Sequence, residues 1–346
     1  MRNGFPLVEL HRHLDGNVRV ATVLDLARRH RLELPAWSAE ELRPHLQIVD
    51  REPSLVAFLA RFDLLRRVMV DYDAVRRIAR ENLEDAASEG IDYIELRFSP
   101  YFMAEEHGLD PFGVAEAVCD ALEEARGRLP HPPIEAKLIA IISRHYGPEI
   151  GRVELAAAIR CRDRGVTALD LAGDEARFPG ELFVEHFAAA REAGLHTIAH
   201  AGEAAGAESV SQAILGLGAE RIGHGIRALE DPAVVDLLLE RRIPLEVCPT
   251  SNVQTSTVAS YREHPLPELL RRGVAATLNT DDPGISGIDL AHEYRVASSE
   301  LGLAEEELRR LQENALAAAF LSPEERESLL QSPVQGVSTE ALLKEG

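Results

Sequence analysis

Cysteine occurs only three times in this chain, as Cys119, Cys161 and Cys248. That is too few, at too wide a spacing, for a disulfide framework or a cysteine-based zinc site. The scarcity fits a reducing compartment, and the three read as small buried apolar residues. No apolar run approaches the roughly 20 residues that a membrane span needs. The first residues, Met1 to Leu14, reach a charged, His-rich stretch too soon for a secretory leader, so a cytoplasmic globular protein is expected. Lysine is almost missing: Lys137 and Lys344 stand alone among 37 basic residues, an arginine excess we read as codon bias. Acidic residues outnumber basic ones to a net charge of −21, which repels phosphate backbones and anionic lipid, so neither nucleic acid nor membrane is an expected partner. Also missing is a Gly-rich dinucleotide fingerprint after an early strand, which argues against an open doubly wound sheet.

What the chain does have is a rhythm. Apolar β-prone runs fall at Leu7–His11, Ile91–Phe98, Ile134–Ile142, Val166–Leu171, Leu195–His200, Arg221–His224, Ile243–Cys248 and Val274–Asn279. From the second onward they recur every 20 to 45 residues or so, with amphipathic helical sequence between them, as repeated βα units require. Several are nearly continuous hydrophobics, as in parallel strands covered on both faces. Helix starts are legible at Ser38 with Glu41, at Asp231-Pro232 and at Ser322-Pro323 with Glu325. The reading is an α/β fold, a (β/α)₈ TIM barrel occupying one domain over 1–346.

One interval breaks the rhythm. Roughly 80 residues separate the first two runs, far more than a crossover helix needs, so a helical insertion at about 17–88 is expected between the first and second strands. Within it Leu55, Phe58, Leu59 and Phe62 make one apolar stripe on a helix. That stripe either packs on the barrel or forms a lid over substrate. The tail from Ser332 to Gly346 is short and weakly periodic.

Four polar segments lie at the C-terminal ends of the apolar runs, where barrel enzymes carry their chemistry. They are His11-Arg12-His13-Leu14-Asp15-Gly16, His200-Ala201-Gly202-Glu203, Gly223-His224-Gly225 and Asn279-Thr280-Asp281-Asp282-Pro283. His11 and His13, two apart on a strand, project to one face. With His200 and Asp281 they supply three imidazoles and a carboxylate, a metal set with room for an activated water. Alone, a His-x-His pair occurs in ordinary strands, and Asp281-Asp282-Pro283 is also a good turn initiator. His224 between two glycines suits a residue that hydrogen-bonds the metal-bound water. Glu203 is placed for a general acid if apolar surroundings raise its pKa, or is an exposed first-turn glutamate. Leu169-Asp170-Leu171-Ala172-Gly173 offers no lysine to bridge a metal pair, which favours one ion. Cys248-Pro249 has the wrong order for the Pro-Cys-x-x-Cys of the cytosine-type zinc deaminases.

These segments, with Glu95-Leu96-Arg97-Phe98-Ser99-Pro100, Asp170-Leu171-Ala172-Gly173-Asp174-Glu175, Arg221-Ile222-Gly223-His224-Gly225 and Cys248-Pro249-Thr250-Ser251-Asn252-Val253-Gln254-Thr255, resemble the adenosine deaminase family of the metal-dependent hydrolases, in its bacterial type. The likeness runs from Val8 to about Leu321. It implies a single Zn²⁺ on His11, His13, His200 and Asp281, water attack at C6 of a purine nucleoside, Glu203 donating a proton to N1, and His224 orienting the attacking oxygen. His13, Asp15, Asp282 and the Gly173 backbone would meet substrate, Asp282 at N7 and Gly173 at N3. Asp15 would hold the ribose 5′-hydroxyl, where relatives that act on adenine tend to have glutamate. Leu55, Phe58, Leu59 and Phe62 match the family's apolar lid. The implied activity is deamination of adenosine and deoxyadenosine to inosine and deoxyinosine, as in purine salvage. Alternatives are a deaminase of adenine or aminofutalosine, another mononuclear barrel hydrolase acting on amides, or a zinc-stabilised binding protein without catalysis.

Overall fold

A computed structural model of the protein describes residues 5–126 and 134–332; the tail beyond Ser332 lies outside the described residues. Eight strands follow one another in spatial order: β1 (Val8–His13), β2 (Tyr93–Phe98), β3 (Glu135–Ser143), β4 (Val166–Ala172), β5 (His196–Ala201), β6 (Arg221–His224), β7 (Leu245–Val247) and β8 (Ala276–Leu278). Every pair is parallel, as the near-continuous apolar runs require. The ring closes by backbone bonds just past β8: His13 N–H donates to Asp281 O at 2.8 Å, and Asp281 N–H donates to His11 O at 2.9 Å. The seam of the barrel therefore runs through three of the four expected metal ligands. Each expected run overlaps one strand, with ends that differ by up to two residues: β1 extends to His13, two residues past its expected end, while β2, β7 and β8 begin two residues after their expected starts.

Side chains of the strands and the surrounding helices form one continuous apolar layer around the barrel, in which Leu96, Leu171, Ala199, Ile222 and Val247 are all buried. A smaller cluster of Ile139, Ala168 and Ile198 meets Phe320 at the N-terminal end of the barrel. Among the described residues no helix is long and apolar enough to cross a membrane.

Between β1 and β2 the chain forms five helices: α1 (Val20–His30), α2 (Ala39–Leu46), α3 (Leu55–Leu59), α4 (Phe62–Arg66) and α5 (Tyr72–Ser88). Capping is local and legible. The Ser38 and Asp71 side chains accept from backbone N–H groups in the first turns of α2 and α5. The apolar stripe is divided between α3 and α4, two single turns and not one helix. Ala60 and Arg61 at the join keep right-handed dihedrals, so the stripe still faces one way. At the join the backbone bonds shorten to the i−3 pattern, Arg61 N–H donating to Phe58 O at 2.9 Å and Asp63 N–H to Ala60 O at 3.3 Å, and the Arg61 side chain bonds Glu52 and Pro44 O.

Candidate active site

The four expected ligands meet where strand ends converge. Their donor atoms all lie within 4.8 Å of one another and every one of the residues is buried. Asp281 Oδ1 stands 3.2 Å from His11 Nε2 and 3.3 Å from His13 Nε2, and His13 Nε2 stands 3.3 Å from His200 Nε2. Donors placed about 2.0–2.1 Å from a tetrahedral ion are separated by about 3.3 Å. Buried His11 Nε2 has no hydrogen-bond partner, which leaves it able to ligate a metal. Gly223 makes the packing possible, because a Cβ there would sit 3.0 Å from His11 Cε1 and 3.2 Å from the His200 ring. His224, Cys248 and Asp281 also lie near one another. Burial pushes the Cys248 thiol well up, so it stays protonated and is a poor ligand.

Beneath the ligands lies a layer of buried charge that the sequence reading did not assign. Glu246 Oε2 accepts from His11 Nδ1 at 2.8 Å, and Asp170 Oδ2 lies 3.1 Å from His200 Nδ1. These carboxylates fix each ring's proton on Nδ1 and present Nε2 upward. Arg97 joins them, donating to Asp170 at 2.7 Å, to Glu246 at 2.6 Å and to Leu10 O at 2.6 Å. Arg221 continues the layer downward to Glu246 Oε1 at 2.7 Å and Glu95 Oε2 at 2.5 Å. With Asp281 the network holds four carboxylates against two guanidiniums, a deficit that one divalent cation balances. A charged residue inside an otherwise apolar parallel strand was the available signal for Arg97, Asp170 and Glu246.

Two site residues are held in unusual backbone. His224 and Asp281 have φ of 61° and 63°, the left-handed region that costs a non-glycine residue about 1–3 kcal/mol. The strain aims both side chains into the site. Ser251 Oγ donates to Asp281 Oδ2 at 2.7 Å, which leaves Oδ1 toward the histidines. A chain of bonds fixes His224. Leu266 N–H donates to His264 Nδ1 at 3.2 Å, so His264 donates from Nε2 to Asn252 Oδ1 at 3.2 Å. The Asn252 amide then donates to His224 Nδ1 at 3.0 Å, which leaves the proton on His224 Nε2. Burial holds both His224 and His264 below the usual imidazole range, so both are neutral. His224 Nε2 faces Glu203 Oε2 at 3.7 Å and Asp281 Oδ2 at 3.8 Å.

Glu203 is buried, not an exposed first-turn residue, and its Oε1 has no partner. Burial first, then the charges of Asp281 and Glu175, push its carboxyl well up and keep it protonated. Asp282, with an orphaned Oδ1, is raised for the same leading reason, helped by Asp281 and Asp15. Above them opens a cavity of about 440 Å³. His13, Asp15, Gly173, Glu203, His224 and Asp282 line its polar side, and Leu55, Phe58, Leu59 and Phe62 cover its apolar side. Gly173 has φ of +104°, and a Cβ there would stand 3.1 Å from His145. Asp15 Oδ2 accepts from Ser99 N–H at 3.1 Å, while its Oδ1 is buried without a partner. Ser99 Oγ in turn meets Glu154 at 2.5 Å, a second buried carboxyl that also accepts from Ser143 N–H at 2.9 Å.

The model of the adenosine deaminase family matches residues 6–335. An adenosine deaminase of Klebsiella pneumoniae is 52% identical over 334 residues, which is 96% of this chain and 99% of that protein. The crystal structure of adenine deaminase from Arthrobacter aurescens superposes with a TM-score of 0.86 at 29% identity, over 94% of this chain and 97% of that one. An amidohydrolase from Burkholderia ambifaria with bound Zn superposes with a TM-score of 0.83 at 25% identity, over 94% of this chain and 88% of that one.

Proposed function

The chain belongs to the adenosine deaminase family, and on that premise we propose that it deaminates adenosine and deoxyadenosine hydrolytically, giving inosine or deoxyinosine and ammonia, with one zinc ion per chain. His11, His13, His200 and Asp281 hold the metal; the spacing of their donor atoms and the zinc-bound Burkholderia neighbour support this. Bound there, the ion supplies Lewis acidity that brings a water toward ionisation near neutral pH.

The side chains around that point do the rest. Protonated Glu203 donates to purine N1, which withdraws electron density from the ring and makes C6 electrophilic. His224, with its proton on Nε2, donates to the attacking oxygen and holds it against C6. It acts as an orienting donor, since its other nitrogen is occupied by Asn252. Asp282, protonated, donates to N7, and Gly173 N–H meets N3. Three acceptor nitrogens of a 6-aminopurine thus face three donors. Asp15 Oδ1, orphaned at the cavity wall, receives the ribose 5′-hydroxyl, and Leu55, Phe58, Leu59 and Phe62 act as a lid that keeps water off the reacting ring.

The observation that carries the reading is the placement of four closely spaced metal donors directly below Glu203 and His224, at the floor of a nucleoside-sized cavity. A panel of adenosine, deoxyadenosine, adenine, AMP and 6-aminodeoxyfutalosine, assayed for ammonia release with and without a chelator, tests it. Adenosine and deoxyadenosine should be the best substrates and the chelator should stop turnover. Faster release from adenine would move the assignment to the activity named for the Arthrobacter neighbour.

A further inference from the structure

The segment that presents Glu203 has no regular structure of its own. Residues 202–205 form bends between β5 and Gly206, the N-cap of the short helix Ala207–Gln212, so their N–H groups have no ladder or helix to enter. Buried donors left in that state would cost stability and let the segment drift. A single carboxylate collects them. Glu175 Oε1 accepts from Gly202 N–H at 2.7 Å, and its Oε2 accepts from the N–H groups of Glu203 at 3.2 Å, Ala204 at 2.8 Å and Ala205 at 2.9 Å. Ser209 Oγ adds a further bond to Oε1. Glu175 is itself buried, at 3% exposure.

Glu175 sits on the turn that follows β4, two residues after Gly173, so it belongs to the loop whose backbone lines the other edge of the cavity. Arg144 strengthens the same junction, donating to Leu171 O at 3.3 Å and to His200 O at 2.7 Å. The five bonds therefore tie the β5 loop to the β4 loop directly behind the purine ring. We propose that Glu175 is a positioning residue for the reaction: it holds the Glu203 loop at a fixed distance from Gly173, so that the proton donor for N1 and the N–H for N3 meet one ring together. This rests on the assignment of Glu203 and Gly173 to those two nitrogens.

The substitution Glu175→Gln tests it with little change of shape, because it places an amide NH₂ against N–H groups that need an acceptor. Its kcat on adenosine should fall about 10- to 100-fold, the scale expected when a reacting group is displaced by about an ångström. KM should change by less than about threefold, since the ribose and lid contacts lie elsewhere and bind substrate and transition state alike. Bound zinc should remain stoichiometric, and amide hydrogen exchange should accelerate at 202–205 with the barrel strands still protected. Glu175→Asp keeps the charge with a shorter reach and should give an intermediate kcat.

A kcat within twofold of the parent in both variants overturns the proposal. So does a loss of kcat accompanied by lost zinc or faster exchange throughout the barrel, which would make Glu175 a general structural residue. Glu203→Gln keeps the two readings apart: a near-normal rate there sinks the role of Glu203 itself, whatever Glu175 does.

Discussion

The two ends of this barrel treat buried charge in opposite ways. At the N-terminal end Glu95, Arg221 and Glu246 pair within 2.7 Å, and Phe320 seals them, its ring 3.9 Å beneath the Arg221 guanidinium and stacked on His196 at 4.0 Å. At the C-terminal end the carboxyl oxygens Asp15 Oδ1, Glu203 Oε1 and Asp282 Oδ1 are equally buried, with neither a hydrogen-bond partner nor an arginine ion pair among the described residues. An arginine set between two carboxylates closes the N-terminal end as an ion-paired plug. On the proposed reading, the orphaned groups are the ones that a metal and a substrate complete. Arg97, Asp170 and Glu246 form the boundary, where paired charge below orients His11 and His200 above.

The largest effect expected from breaking this contrast is at the orphaned end. Glu203→Gln should lower kcat by about 10²–10⁴-fold, the usual contribution of a positioned proton donor. Its Tm should stay close to that of the parent, because an amide replaces a carboxyl that burial already holds neutral. Thermal unfolding beside a steady-state assay, with zinc content measured, reads both halves. A large drop in Tm would mean that Glu203 is a structural group after all.

The paired end should answer in reverse. Arg221→Met removes the cation between Glu95 and Glu246 and leaves two buried carboxylates facing each other. Breaking a buried pair by deleting one partner costs about 3–5 kcal/mol, readable by denaturant unfolding. Turnover of the zinc-loaded protein should change far less than in Glu203→Gln, because Arg97 still holds Glu246 Oε2 toward His11. Equal losses of activity in the two variants would erase the distinction between the ends.

Legibility in the sequence follows the same division. The strands could be read because parallel strands covered on both faces are largely apolar, and several of the eight runs are nearly continuous hydrophobics. The ligands and Glu203 could be read because polar residues stand abruptly at the ends of those runs. Glu246 within Leu245-Glu246-Val247 and Arg97 within Leu96-Arg97-Phe98 were harder, since their partners are other strands' residues and only closure of the barrel brings them together. Glu175 was quoted in a motif yet given no role, for its five donors lie 27 to 34 positions away. The apolar stripe was legible as a face but not as two turns, because Ala60 and Arg61 are good helix formers and the break is only a local change to i−3 backbone bonds.

The mildest test sharpens the contrast at its margin, with Glu154. This carboxyl on the helix Gly147–Arg160 is buried behind Ser99, and burial pushes it up to about 8 from an ordinary 4.5, against the lowering effect of its bonds from Ser99 and Ser143. The sign follows from proton uptake. Between pH 4.5 and 8 the unfolded chain has lost this proton while the folded chain keeps it, so the group's contribution to stability is full below pH 4.5 and declines as pH rises to about 8. Glu154→Gln has the shape of the protonated acid, with Nε2–H toward Ser99 Oγ and Oε1 toward Ser143 N–H, and has no proton to lose. Its Tm relative to the parent should therefore climb by a few degrees across that window and then level off. Buried Glu293, also pushed up to about 8, is present in both proteins and cancels in the difference. A Tm gap that stays flat from pH 4.5 to 8 would place Glu154 among the paired groups, ionised and satisfied, and would move the border between the two ends of the barrel upward by one layer.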